Sequence, residues 1–127
     1  MERYISEYKL DQVFSEAVIE QFKFCMYDKD EYVTVSGNEF SGVGIILFGK
    51  IKVLPSSIEG KEMLLTCLQP MEFIGEIEYF FKCEFIYTTI AMEQTAVLHI
   101  PTHVADRYLI NDVKFLQMLC KAFACKP

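Results

Sequence analysis

Gly75 and Glu76 sit in the stretch FIGEIEYFF, where a short strand gives way to a single helical turn. A strand, a Gly-Glu turn and a helix start bring several unpaired backbone N–H groups together. Such a cradle suits an anion, a phosphate in particular. A phosphate taken out of water also wants a paired cation. Yet between Cys83 and Ile100 there is neither Arg nor Lys, and Lys82 is the only nearby cation. Read from the residues alone, Gly75 serves a turn or a close ligand approach, and Glu76 caps the helical turn, pairs with a surface Lys or gives a pocket its polarity. Phe85, Ile86 and Tyr87 fill the core or line a pocket for a small apolar ligand. With Ile77 these are the candidate ligand-binding residues.

Other reactive side chains lack a pattern. His99 and His103 are four apart, but Pro101 lies between them, so they straddle a strand–helix junction and share no helical face. No Ser/His/Asp or Cys/His arrangement can be placed, and the acidic residues around Asp28, Asp30 and Glu31 read as turn and surface charges. No catalytic residue is assigned and an enzyme is not expected. The five cysteines, Cys25, Cys67, Cys83, Cys120 and Cys125, are odd in number and form no CxxC pair. Small core residues are the expectation for most of them, with a redox role for Cys83 as the alternative. No metal site and no required cofactor follow.

The elements that must position Gly75 and Glu76 can be read from the rest of the chain. Its 127 residues suit one domain, and 52% hydrophobic residues exclude disorder. The longest uncharged apolar run, Val43 to Phe48, is too short to span a bilayer. The N-terminus MERYISEYKLDQ lacks the basic and apolar regions of a secretory signal, so a cytoplasmic location without membrane contact is expected. Net charge is −6, and Lys50, Lys52 and Lys61 are the only basic concentration, so these residues alone do not grip DNA.

Val13, Phe14, Ala17, Val18 and Phe22 predict one short amphipathic helix. From Phe24 the period changes to two, and about eight short strands follow, with a turn near Gly49 and a hairpin loop at PSSIEG. Val43, Ile45, Leu47, Ile51, Val53, Leu65, Ile74, Ile90, Val97 and Ile100 are the expected core. Pro101 opens a short helix over PTHVADRYLIN, and Asn111 or Asp112 caps a last one. In that helix Val113, Leu116, Met118, Leu119, Cys120, Ala122 and Phe123 form an apolar stripe too wide for one small contact. The pattern is α+β and mainly β: an antiparallel roll with flanking N- and C-terminal helices.

Three segments carry a family resemblance. LFGKIKVL (Leu47–Leu54), EGKEMLLTCLQPMEFIGEI (Glu59–Ile77) and TAVLHIP (Thr95–Pro101) resemble, in order and spacing, the cyclic-nucleotide-binding β-roll of the CRP/FNR transcription regulators. FIGEIEYF with YLINDVKFLQMLC looks closest to the YeiL-type branch. The resemblance implies a double-stranded β-helix, or jelly roll, over 24–100, a helical segment over 1–23, and helices over 101–127 that begin a dimerisation helix. In the family the Glu matched by Glu76 binds a ribose hydroxyl, and an Arg-Ser pair binds the cyclic phosphate; that pair falls near Phe85 and Ile86 here. A domain that senses an unknown small-molecule effector, rather than cAMP or cGMP, is therefore expected. It would dimerise through Leu116, Leu119 and Phe123, at i, i+3 and i+7, with Val113, Met118 and Ala122 against the roll. The alternative is a helix folded back on its own roll. DNA would be reached only through a helix-turn-helix absent from this chain. The rival function is a stand-alone small-molecule-binding module that regulates another protein.

Overall fold

The computed structural model describes Arg3, residues 10–55 and residues 66–124, the last three by backbone alone. Within these residues the period-two runs form β1 (Lys23–Tyr27), β2 (Tyr32–Thr34), β3 (Gly42–Phe48), β4 (Ile51–Leu54), β5 (Thr66–Leu68), β6 (Phe73–Ile74), β7 (Thr88–Ala91) and β8 (Thr95–Pro101). The helices are α1 (Glu16–Ile19), α2 (Glu76–Phe81), α3 (Thr102–Val104) and α4 (Val113–Ala124). Two antiparallel four-stranded sheets result, in the orders β1-β8-β3-β6 and β2-β7-β4-β5. This is the expected mainly β roll with helices at its ends.

Strand β3 explains the layering. Alternate side chains leave a strand on opposite faces. Val43, Ile45 and Leu47 enter one cluster with Leu98 and Ile100 of β8. Ile46 enters another, between the sheets, with Ile51, Val53, Leu68, Ile74 and Val97. Both faces of β3 are thus covered. The first cluster lies under helices: Leu10, Phe14, Val18 and Phe22 from the N-terminal segment, and Val104, Leu109, Phe115 and Leu119 from the C-terminal one. Of the expected core, Val43, Ile45, Leu47, Ile51, Val53, Ile74, Ile90, Val97 and Ile100 are buried. Leu65 lies outside the described residues.

Three expectations need correction. The N-terminal helix is two pieces, a 3-10 turn at Leu10–Gln12 and α1. Ser15 divides them, because its Oγ accepts the Val18 N–H (3.4 Å) and starts a new helix. The helix after Pro101 passes from α3 into a π-helical turn over Ala105–Leu109, where the Ile110 N–H reaches the Ala105 carbonyl at 2.9 Å. The cysteines are not core: Cys25 and Cys67 are half-buried, Cys83 and Cys120 are exposed, and Cys125 lies outside the described residues.

The last helix turns a different face to the roll. Asp112 caps α4, accepting the Phe115 N–H at 3.0 Å. Leu119, assigned to a dimer seam, is only 3% exposed and sits in the chain's own core, with Leu116 half-buried against it. Val113, assigned to the roll, is 65% exposed. The side chain of Phe123 lies outside the described residues. The reason is Phe115, which the expected stripe omits. It is fully buried, 6.0 Å from the Phe14 ring and 6.3 Å from that of Phe73, edge-on at 83°. Phe115 and Leu119, four apart, share a face, and they are the two buried residues among those of the helix whose side chains are described.

Phe115→Ala should therefore lower the unfolding free energy by about 3–5 kcal/mol, whereas Val113→Ala should change it by no more than about 0.5 kcal/mol. Urea denaturation of the two variants measures this, and equal losses would show that α4 docks by another face.

Candidate functional site

Gly75 starts the site. Its φ of +81° lies in the left-handed region, and a Cβ there would come within 2.9 Å of the Phe40 ring and 3.2 Å of the Gly42 carbonyl. Only glycine fits both the conformation and the space. The chain then turns into α2, whose first bond runs from the Tyr79 N–H to the Gly75 carbonyl (3.0 Å). The helix ends at Lys82, itself left-handed at φ +53°, whose N–H donates to the Glu78 carbonyl. Glu76 and Glu78 are 4% and 5% exposed. Glu78 Oε2 accepts the Ile86 N–H at 3.3 Å, which ties α2 to the loop that leads into β7.

A cavity of about 760 Å³ lies against this turn. Its wall includes Val53 and Leu68 from β4 and β5, Glu72 to Glu78 from β6 and α2, and Tyr87 and Thr89. Met118 and Lys121 of α4 complete it. Of the candidate residues, Gly75, Glu76, Ile77 and Tyr87 share this wall, while Phe85 and Ile86 do not. Phe85 is buried beside Phe40, ring centres 5.1 Å apart, with its N–H on the Asn38 carbonyl (3.0 Å) and its carbonyl on the Gly37 N–H (2.8 Å). Ile86 turns its side chain outward. Glu78, whose charge beside Glu76 the sequence already shows, is not among the candidate site residues, though the E-x-E spacing of α2 could have signalled it. Sequence reasoning also missed the Thr34–Thr89 hydroxyl pair (2.8 Å) and the α4 residues, which tertiary docking alone brings here. Among the described wall residues the charges are Glu72, Glu76 and Glu78 against Lys121.

Two neighbouring features complete the site. Tyr79, on α2, donates its hydroxyl to Asp106 Oδ1 at 2.8 Å and so joins α2 to the π-helical turn. Burial, and then this bond, push the phenol's pKa up. A smaller cavity of about 230 Å³ opens between Cys25, Tyr27, Ser41 and His99. Burial, followed by the charge of Lys23, holds the His99 imidazolium pKa below the usual 6.5, against a hydrogen bond to the Ser41 backbone. Burial, followed by Cys25, raises that of Tyr27. Among the described residues no group of three His, Cys, Asp or Glu side chains could hold a metal ion. No described helix is long and apolar enough to cross a membrane.

A β-roll with a Gly-Glu turn beside a cavity that a C-terminal helix helps to line defines the class of fold. The chain belongs to the cyclic nucleotide-binding domain family, whose profile matches residues 25–112. No curated protein matches it in sequence. Among solved structures it is similar to the sensor domain of the transcriptional regulator DNR from Pseudomonas aeruginosa, with a TM-score of 0.75 at 16% identity over 96% of this chain and 85% of that one. It is also similar to the Thermus thermophilus catabolite activator protein, with a TM-score of 0.67 at 18% identity over 86% of this chain and 49% of that one. A third is a variant regulatory subunit of a cAMP-independent protein kinase A from Trypanosoma brucei, bound to cAMP in its A site; the TM-score is 0.76 at 12% identity, over 98% of this chain and 46% of that one. The chain spans 50%, 49% and 56% of the length of the first structures it matches. At these identities the likeness establishes the fold.

The His99 shift sets a pH dependence. Its folded pKa is depressed, so the unfolded chain binds the proton more readily. Stability is full above about pH 6.5 and falls as pH drops through that value toward the lower folded pKa. His99→Gln should flatten this part of a stability–pH curve measured by thermal unfolding. An unchanged slope would place the titration elsewhere.

Proposed function

We propose that this chain is the effector-sensing and dimerising part of a CRP/FNR-like transcription regulator, that it acts in the cytoplasm, and that it does not respond to cAMP or cGMP. The observation that carries this reading is that Met118 and Lys121 of α4 belong to the wall of the cavity. A ligand there touches roll and helix together, so it favours whichever helix position fits it. The module binds and relays and catalyses nothing. DNA would be reached through sequence outside this chain.

The cavity's chemistry disfavours a cyclic phosphate. The one lysine among the described wall residues, Lys121, is exposed and stands against three glutamates. An anion buried without a closely paired cation carries a desolvation cost of several kcal/mol, and helix-start dipoles return about 0.3–2 kcal/mol. A kinase subunit described as cAMP-independent has this fold, and a variant of it whose three substitutions include a Thr→Arg change is the form bound to cAMP. By calorimetry, cAMP and cGMP should bind more weakly than about 10 μM, about −7 kcal/mol. Tyr87→Arg, which puts a cation on the wall, should tighten cAMP about tenfold. Binding of cAMP below 10 μM by the unaltered chain would overturn the ligand reading.

The dimer is proposed on a revised seam. With Leu119 buried in its own domain, the proposed seam follows Val113, Leu116, Cys120 and Phe123 in sequence, at i, i+3, i+7 and i+10, a coiled-coil spacing, with Val113 and Cys120 exposed and Leu116 half-buried. Under mild oxidant, in a Cys83→Ser background, Cys120 should cross-link two chains, and sedimentation should show a concentration-dependent dimer. Ile77→Phe, which fills part of the cavity, should shift that equilibrium. A monomer at every concentration ends the dimer; a dimer indifferent to Ile77→Phe ends its coupling to the cavity.

A further inference from the structure

We propose that the cavity beneath α4 takes an amphipathic cation: an apolar body that carries a protonated amine. The inference rests on the reading of this cavity as the sensor's ligand site and names the ligand's chemical class. At about 760 Å³ the cavity has the size of a small-molecule site. Val53, Leu68, Phe73, Ile74 and Met118 give it apolar walls able to hold a ligand body without hydrogen bonds.

Negative charge is confined to one side. Glu72, Glu76 and Glu78 all come from a single seven-residue segment, β6 and the start of α2, whereas Lys121 is exposed on α4. The two that matter most are Glu78, almost fully buried and held in place by the Ile86 N–H, and half-buried Glu72. A carboxylate withdrawn from bulk water attracts a cation with little screening, and repels a phosphate or carboxylate for the same reason. The cavity is the site; the carboxylates set the sign of the ligand it admits. An amine near Glu78 and Glu72 leaves the apolar body free to reach Met118, so the ligand spans from the fixed turn to α4.

Two fluorescent probes of equal body and opposite charge test this: dansylcadaverine, a cation, and dansyl-6-aminohexanoate, an anion. Titrated against the chain at physiological salt, the amine should bind at least about tenfold more tightly than the acid. Glu78→Gln should reduce that preference at least threefold, and Glu72→Gln supplies the same test at a half-buried position if the first variant does not fold. Ile77→Trp, which occupies the cavity, should abolish binding of both. Equal binding of the two probes, or a preference for the acid, overturns the cation class; if Ile77→Trp still abolishes it, the cavity stands as a ligand site. Binding that survives Ile77→Trp lies elsewhere on this acidic protein and overturns both readings. Absence of any binding overturns the cation class, and the effect of Ile77→Phe on the dimer then decides the cavity separately.

Discussion

Phe115 enters the outer core between Phe14 and Phe73, and this contact decides where the last helix can lie. With Leu119 one turn on, it fixes α4 against the roll. Burying a side chain of this size stabilises by about 1.5–3 kcal/mol, enough for two such residues to hold a short helix that its own propensity would leave marginal. Met118, next to Leu119, is thereby set on the cavity wall, and Lys121 follows at the next turn. The cavity has its cover because of an aromatic contact that no part of the cavity supplies.

The helix at the cavity's other side is divided in the same way. Glu76 and Glu78 of α2 line the cavity, while Tyr79 belongs to the outer core and bonds Asp106. A phenol whose pKa is raised remains a hydrogen-bond donor at neutral pH, so the link to Asp106 is continuous. Asp106 lies in the π-helical turn, and π-turns often mark functional sites. Two routes therefore join the cavity to the C-terminal helices: direct contact through Met118 and Lys121, and the Tyr79–Asp106 bond.

The parts legible in the sequence were those fixed by local chemistry. Alternation gave β3 and β4, Gly49 gave the turn between them, and Gly75 announced a backbone conformation that only glycine holds easily. Asp112 was readable as a cap because its partner is three residues away. What could not be read depends on distant partners. Phe85 looked like a pocket residue, yet its backbone is pinned to Gly37 and Asn38, which turns its ring onto Phe40. Leu119 looked like a seam residue because a lone helix offers several apolar stripes. Only the rings of Phe14 and Phe73 select the one that includes Phe115. The cysteines misled because their composition suits a core, while strand register and helix phase set their exposure.

The missing cation can now be placed in physical terms. Lys82, the nearest in sequence, ends α2 in a left-handed turn and lines a separate cavity of about 400 Å³ with Tyr79 and Asp106. It stands off the wall that Gly75 and Glu76 share. The described wall takes its one lysine from α4 instead, across from an acidic turn. Negative charge thus belongs to the β6–α2 turn, and positive charge to the C-terminal helix. On the proposed reading, a ligand that neutralises Glu72 and Glu78 would also alter the field at Lys121 across the cavity. Occupancy would then change the field on α4 as well as the space beneath it, so that a ligand without a phosphate could be read by the same fold.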